Sequence, residues 1–377
     1  MFTVLTTGRQ DWGILRSTCR HLRAAGTPAR IVAGGMALSS FHGASARLME
    51  EDGFPPAARL PWIEDGRSIH EEAAVALRLV GEELAAHPPA ALLLVGDRFE
   101  TISAAVAATL HLVPVVHLHG GEETEGAFDN ALRHAITKLA HLHLVAHPRY
   151  AARVLAMGED PATVHVVGAP GLDNLNRDDL PDRAALEERL GITLEPPVVI
   201  VTLHPTTLGA SDLELRSLLE AMDATPATYV ITLPNNDPGA AAIRSALRAA
   251  AEKPRRAAAE ALGERFYWSL LREADAILGN SSSAIIEAPA VALPAVNVGT
   301  RQGGRVRAPN VLDAPPDATA VCAALARALD PAFRASIAAA SKATFGDGHA
   351  AERIVDILRA WRPPRPPIKR HRLEGAS

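Results

Sequence analysis

Short apolar runs alternate with longer amphipathic or alanine-rich stretches along most of this chain. In the first half, runs dominated by Val, Leu, Ile and Ala lie at 2–5, 29–33, 91–95, 114–118, 142–146 and 164–167. Near-continuous runs of this length read as strands buried on both faces. Between them, 14–25, 69–87, 101–112 and 130–140 read as helices. The pattern pauses around Gly168-Ala169-Pro170-Gly171 and restarts with apolar runs at 198–202, 228–232, 276–278 and 295–298. Helical stretches again separate these runs. Alternation of strand and helix predicts parallel sheets with helices on both faces. The expected fold class is therefore α/β, with two Rossmann-like doubly wound domains. We expect them at 1–170 and 171–348, followed by a helix at 349–362 and a disordered Pro-rich and basic tail at 363–377.

Length agrees with this division, because 377 residues exceed what one ordinary core accommodates. The net charge of −5 excludes a global positive field, so an anionic substrate would meet local arginines instead. The one basic run, Lys369-Arg370-His371-Arg372, sits in the tail and reads as a solvated end; a nucleic-acid partner is not expected. Two cysteines, Cys19 and Cys322, exclude a disulfide framework and fit a reducing cytoplasm. The N-terminus enters a strand directly, without the basic and long apolar regions of a signal peptide. No apolar run reaches membrane-spanning length, so a membrane partner is not expected either.

Ligands of doubly wound sheets bind beyond the carboxyl ends of the strands, which directs attention to the strand-end loops. The first, Thr7-Gly8-Arg9-Gln10-Asp11-Trp12-Gly13, opens a helix. Free N–H groups at a helix start together with the forked Arg9 suit a phosphate. A plain turn with a surface arginine fits the same residues. Asp97, in Gly96-Asp97-Arg98-Phe99-Glu100, follows the run at 91–95 at the edge that faces the crevice; capping of the next helix fits it as well, and both can hold at once.

The densest loop runs from His117 to His134 and contains His119-Gly120-Gly121-Glu122-Glu123 and Phe128-Asp129-Asn130. Carboxylates crowded together raise one another's pKa, which lets an acid and a base coexist at neutral pH. Metal binding competes as a reading, since His117 and His119 share one side of a strand. A third ligand at a standard spacing is not evident, and no metal or cofactor is expected. In the second half, His204 follows the run at 198–202. Gly279-Asn280-Ser281-Ser282-Ser283 forms a polar turn before a helix, suited to a diphosphate or to N-capping. Glu287 is placed to take ribose hydroxyls, and Arg301 to balance phosphate charge.

Taken together, these motifs resemble the UDP-N-acetylglucosamine 2-epimerases, most closely their hydrolysing branch. The resemblance runs from Thr7 to about Ile354. It rests on Gly-Asp-Arg-Phe-Glu at 96–100, His-Gly-Gly-Glu through Arg-His-Ala-Ile-Thr-Lys at 119–138, and Gly-Asn-Ser-Ser-Ser at 279–283. Val-Asn-Val-Gly-Thr-Arg-Gln at 296–302 and Gly-Asp-Gly at 346–348 add to it. It implies a GT-B architecture, with two Rossmann-like domains facing a cleft and a C-terminal helix crossing back to the first. It implies a UDP-sugar substrate, a 2-acetamidoglucal intermediate, release of UDP with N-acetylmannosamine, and a homodimer or homotetramer; a non-hydrolysing 2-epimerase that keeps UDP attached and a UDP-sugar-binding protein without turnover are the alternatives. By motif position it makes Asp97 and Asp129 the acid/base candidates, with Glu122, His119 and His204 beside them. Arg9, Gly13, Arg98, Asn235, Ser281, Ser282, Glu287 and Arg301 would join His204 in holding UDP. Two departures stand out. His119 occupies a position where many members carry a carboxylate, which leaves either Glu122 or His119 itself to transfer the proton. Ala37 replaces the histidine of a Gly-Met-His-Leu pattern. Both changes fit a modified substrate such as a 2,4-diacetamido sugar.

Overall fold

The apolar runs of the first half become a seven-stranded parallel sheet. Its strands are β1 (Phe2–Thr6), β2 (Ala29–Gly34), β3 (Ala58–Leu60), β4 (Leu92–Val95), β5 (Val115–Leu118), β6 (Leu142–Val145) and β7 (Val164–Val166). Their order is β3-β2-β1-β4-β5-β6-β7. The second sheet contains β8 (Val198–Thr202), β9 (Thr228–Thr232), β10 (Arg256–Ala259), β11 (Ala276–Gly279), β12 (Ala295–Val298) and β13 (Val311–Ala314), ordered β10-β9-β8-β11-β12-β13. The pairings of β1 with β4 and of β8 with β11 are parallel, like their neighbours. The structure is a computed structural model. It describes residues 1–370 apart from 28, 40–44, 65, 124–128, 207–210, 235–238 and 261, and describes Arg9 and Asp129 by their backbone only.

Central strands such as β1, β4, β5 and β8 are buried throughout, which is why they stand out as apolar runs. β3, β7, β10 and β13 are edge strands with partly exposed positions; the run at 164–167 marks β7 but is not buried on both faces as expected, and no continuous apolar run marks the other three. In both sheets the winding reverses direction at the first strand. The loops after β1 and β4 therefore diverge, as do those after β8 and β11, and each pair frames a crevice.

The chain forms two compact units. The first comprises Met1–Glu122, Phe128–Asn174 and Gly348–Ser377, and the body of the second is Leu175–Asp347. In the first unit, helix Ala350–Ala360 buries Ile354, Val355 and Leu358 against the same core as Val4, Leu15 and Leu93. Its free N-terminal amides are satisfied by Asp173, whose carboxylate accepts from Ala350 N–H at 2.9 Å and Ala351 N–H at 2.7 Å. Lys369, in the tail, donates to the Ala140 carbonyl and to the Glu159 carboxylate. The second unit has its own core around Val199, Val201, Leu218, Tyr229 and Val296. Among the described residues no helix is long and apolar enough to cross a membrane.

Candidate active site

In the first unit, three strand-end loops carry the predicted groups. The loop after β1 is closed by Asp11, whose carboxylate accepts from Thr7 N–H at 2.8 Å and Thr7 Oγ1 at 2.7 Å. Helix Arg9–Ala24 starts at Gly8 without a side-chain cap. Gly13 lies inside that helix, and its carbonyl accepts from Asn174 Nδ2 at 2.9 Å.

Asp97 follows β4. The backbone that holds it is fixed by His117, whose Nε2 donates to the Gly96 carbonyl at 2.8 Å. His117 is completely buried, and desolvation pushes its pKa down to about 3. It is therefore a neutral hydrogen-bond donor and not a ligand reaching into the site. Next to it, Arg98 forks onto its own helix. Its Nη2 lies 2.5 Å from Glu100 Oε1 and its Nε 3.1 Å from Oε2. Burial raises the Glu100 carboxyl above its usual range, and Arg98 opposes this. Arg98 thus enters the site as a guanidinium already oriented by a buried carboxylate.

The loop after β5 turns sharply. His119 has φ 62, a left-handed conformation that costs a side-chain-bearing residue about 1 kcal/mol or more. The turn is sustained by the His119 N–H on the Leu144 carbonyl at 3.2 Å. It is also sustained by Gly121 (φ 77), where a Cβ would meet the Tyr150 carbonyl at 2.4 Å. The result brings His119 Nδ1 to 2.7 Å from Glu122 Oε1. His119 Nε2 is buried and has no hydrogen-bond partner among the described residues.

Arg133, from helix Asp129–Leu139, ties these loops together. It is buried and donates to the Asp97 carboxylate, to the Glu122 carbonyl at 2.8 Å and to Asn130 Oδ1 at 3.0 Å. Asp97, Glu122 and His119 are thereby held in one cluster. Asp129 opens the helix that carries Arg133, and its side chain lies outside the described structure.

In the second unit, His204 follows β8. Burial pushes its pKa down to about 3, with Arg301 contributing, so the ring is neutral. Its backbone is gripped on both sides by Asn280, which accepts from His204 N–H at 2.7 Å and donates to His204 O at 2.9 Å. Ser281 Oγ accepts from Ser283 N–H at 3.3 Å, and Ser282 precedes the short helix Ser283–Ile286. Glu287 ends that helix. Arg301 Nη1 lies 3.3 Å from the Asn280 carbonyl. The predicted His204, Ser281 and Arg301 thus gather around Asn280, whereas Asn235 lies outside the described residues.

Sequence reasoning assigned no role to Arg133, Glu100, Asn280 or Glu214. The first three sit inside quoted motifs, and only the spatial partners reveal their work. Ala37, at the position noted for its missing histidine, is buried, with its N–H on the Thr7 carbonyl at 3.0 Å. Among the described residues no group of His, Cys, Asp and Glu side chains has the arrangement of a metal site.

Comparisons with known proteins agree on the lineage. A family model described as UDP-N-acetylglucosamine 2-epimerase matches residues 22–359. A UDP-N,N'-diacetylbacillosamine 2-epimerase (hydrolyzing) of Legionella pneumophila is 33% identical over 364 residues, with 94% of each chain covered. A GDP/UDP-N,N'-diacetylbacillosamine 2-epimerase (hydrolyzing) of Campylobacter jejuni is 31% identical over 319 residues, covering 82% of this chain and 83% of that one. The crystal structure of UDP-GlcNAc 2-epimerase from Neisseria meningitidis bound to UDP-GlcNAc superposes with a TM-score of 0.80 at 18% identity. The superposition covers 96% of this chain and 100% of that one. The fold is the α/β plan of two Rossmann-like units found in GT-B proteins. With the family model spanning nearly the whole chain, this protein belongs to the UDP-N-acetylglucosamine 2-epimerase family.

Proposed function

We propose that this protein is a hydrolysing 2-epimerase. Its substrate would be UDP-N-acetylglucosamine or a close derivative, with a 2,4-diacetamido UDP-sugar favoured. The observation that carries the reading is the cluster of Asp97, His119 and Glu122 around buried Arg133, on strand-end loops of a chain in this family. The hydrolysing mode and the diacetamido sugar are supported by the names of the Legionella and Campylobacter relatives.

In this reading a carboxylate, Asp97 or Asp129, removes the C2 proton while the C1–O bond breaks and its electron pair leaves with UDP. A 2-acetamidoglucal results. Water adds at C1 and a proton is delivered to the opposite face of C2. UDP-sugar and water therefore become UDP and the free 2-epimer. His119 presents Nε2 to the reacting sugar, and Glu122 orients it from Nδ1 rather than acting as a separate acid. UDP is held by Arg9, Arg98, His204, Ser281, Ser282 and Arg301, with Gly13, Asn235 and Glu287 contributing. A neutral His204 offers a hydrogen bond without a charge that would retain the departing diphosphate. The enzyme works without a metal or cofactor, in the cytoplasm, as a homodimer or homotetramer. Product analysis over a panel of UDP-sugars tests the reading, and light scattering tests the assembly.

A further inference from the structure

We infer that Glu214 is a positioning residue that locks the nucleotide-holding loops of the second unit to one another. The inference rests on the reading of those loops as the UDP site. Glu214 lies in the first turn of helix Ser211–Ala224 and is only 3% exposed. Buried carboxylates are costly unless fully hydrogen-bonded, so their partners reveal what they hold. Glu214 Oε2 accepts from Thr206 Oγ1 at 2.9 Å and from Asn280 Nδ2 at 3.3 Å. The Thr300 N–H donates to the same carboxylate.

Each partner sits on a different loop: Thr206 after β8, Asn280 after β11 and Thr300 after β12. Asn280 passes the constraint on, because the same amide grips both the N–H and the carbonyl of His204. The Asn280 carbonyl in turn accepts from Gln302 Nε2 at 2.8 Å and Arg301 Nη1 at 3.3 Å. One acidic side chain is therefore the common anchor of the segments that carry His204, Ser281 and Arg301. Gly299 confirms how close the carboxylate comes. A Cβ there would lie 2.0 Å from Glu214 Oε1, and its φ of 78 is itself a glycine conformation. Glu214 acts through these loops and not on the ligand.

Glu214→Gln keeps the size of the side chain but sets an NH2 donor against at least one N–H or O–H donor. Misaligning a preorganised site by a fraction of an ångström weakens binding about tenfold. Calorimetric titration with UDP, steady-state kinetics and hydrogen exchange on the same variant test the inference. The expected result is a UDP Kd raised about tenfold and a KM raised more than kcat is lowered. Faster amide exchange is expected at 203–206, 280–283 and 299–302, with the melting temperature nearly unchanged. Unchanged UDP affinity and unchanged exchange would overturn the inference, leaving Glu214 a packing residue only. If Glu214→Gln does not fold, Thr206→Val removes a single bond to the same carboxylate. It should raise the UDP Kd about threefold, and an unchanged Kd overturns the inference. Absence of UDP binding by the unaltered protein would instead refute the UDP reading, while the exchange data would still report whether Glu214 ties the loops.

Discussion

His119 Nδ1 and Glu122 Oε1 lie 2.7 Å apart across a turn that needs His119 in a left-handed conformation. That geometry decides how the two residues divide their work. A carboxylate on Nδ1 fixes the tautomer and orientation of the imidazole and leaves Nε2 as the atom able to exchange a proton. Glu122→Gln should therefore lower kcat by about 100-fold while changing KM little, and His119→Gln should lower kcat further. Steady-state release of UDP measures both. Equal, small losses in the two variants would separate the pair from the chemistry.

Arg133 provides a second test. It is buried between the Asp97 carboxylate and the Glu122 carbonyl. Removing one partner of a buried ion pair costs about 3–5 kcal/mol, because the other charge stays behind uncompensated. Arg133→Met should lower the melting temperature by several degrees and cut kcat at least about 100-fold, since Asp97 and the β5 loop lose their common tether. Arg133→Lys should recover stability before it recovers activity, because an ammonium does not reproduce the fork. Differential scanning calorimetry beside kinetics separates the two effects.

Buried neutral histidines make stability depend on pH. His117 and His204 both have pKa values pushed down to about 3, chiefly by desolvation. In the unfolded chain they titrate near the ordinary value of about 6.5. Between these values the unfolded state binds more protons, so the stability they allow is complete above about pH 6.5 and falls as pH drops toward 3. At pH 5 the loss is about 2 kcal/mol per histidine. Glu159 behaves differently. Burial opposes its ionisation, but hydrogen bonds from His143, Lys138 and Lys369 prevail and bring its pKa down to about 2. Its contribution holds above about pH 4.5 and is lost only below that. Urea unfolding at pH 7.5 and pH 5.0 should thus show a drop that His204→Asn reduces. A flat profile across that range would contradict the neutral assignment.

The α/β plan was legible because a strand buried on both faces must be apolar along its whole length, as β1, β4 and β8 are. The edge strands β3, β10 and β13 were not, since Arg59, Arg256 and Asp313 interrupt the apolar pattern there; the edge strand β7 was read as a strand, but not its partial exposure. In the candidate site, the density of His and carboxylate at 117–129 could be read directly. The His119–Glu122 bond could not, because it depends on a backbone conformation that sequence periodicity does not encode. The resemblance places Arg98 among the residues that hold UDP, and its guanidinium is also committed to Glu100. Glu214 carries no motif signal, and its partner Asn280 is 66 residues away in sequence.

The central claim is that the C2 proton is exchanged while UDP is expelled, and one measurement addresses both halves. UDP-N-acetylglucosamine and its 2,4-diacetamido counterpart are each incubated with the enzyme in deuterium oxide, and the products are identified by NMR and mass spectrometry. The account predicts free UDP and a free 2-epimeric sugar carrying one deuterium at C2 from at least one of the two substrates. A 2-epimer still joined to UDP, or a free sugar that keeps its original C2 proton, would contradict it.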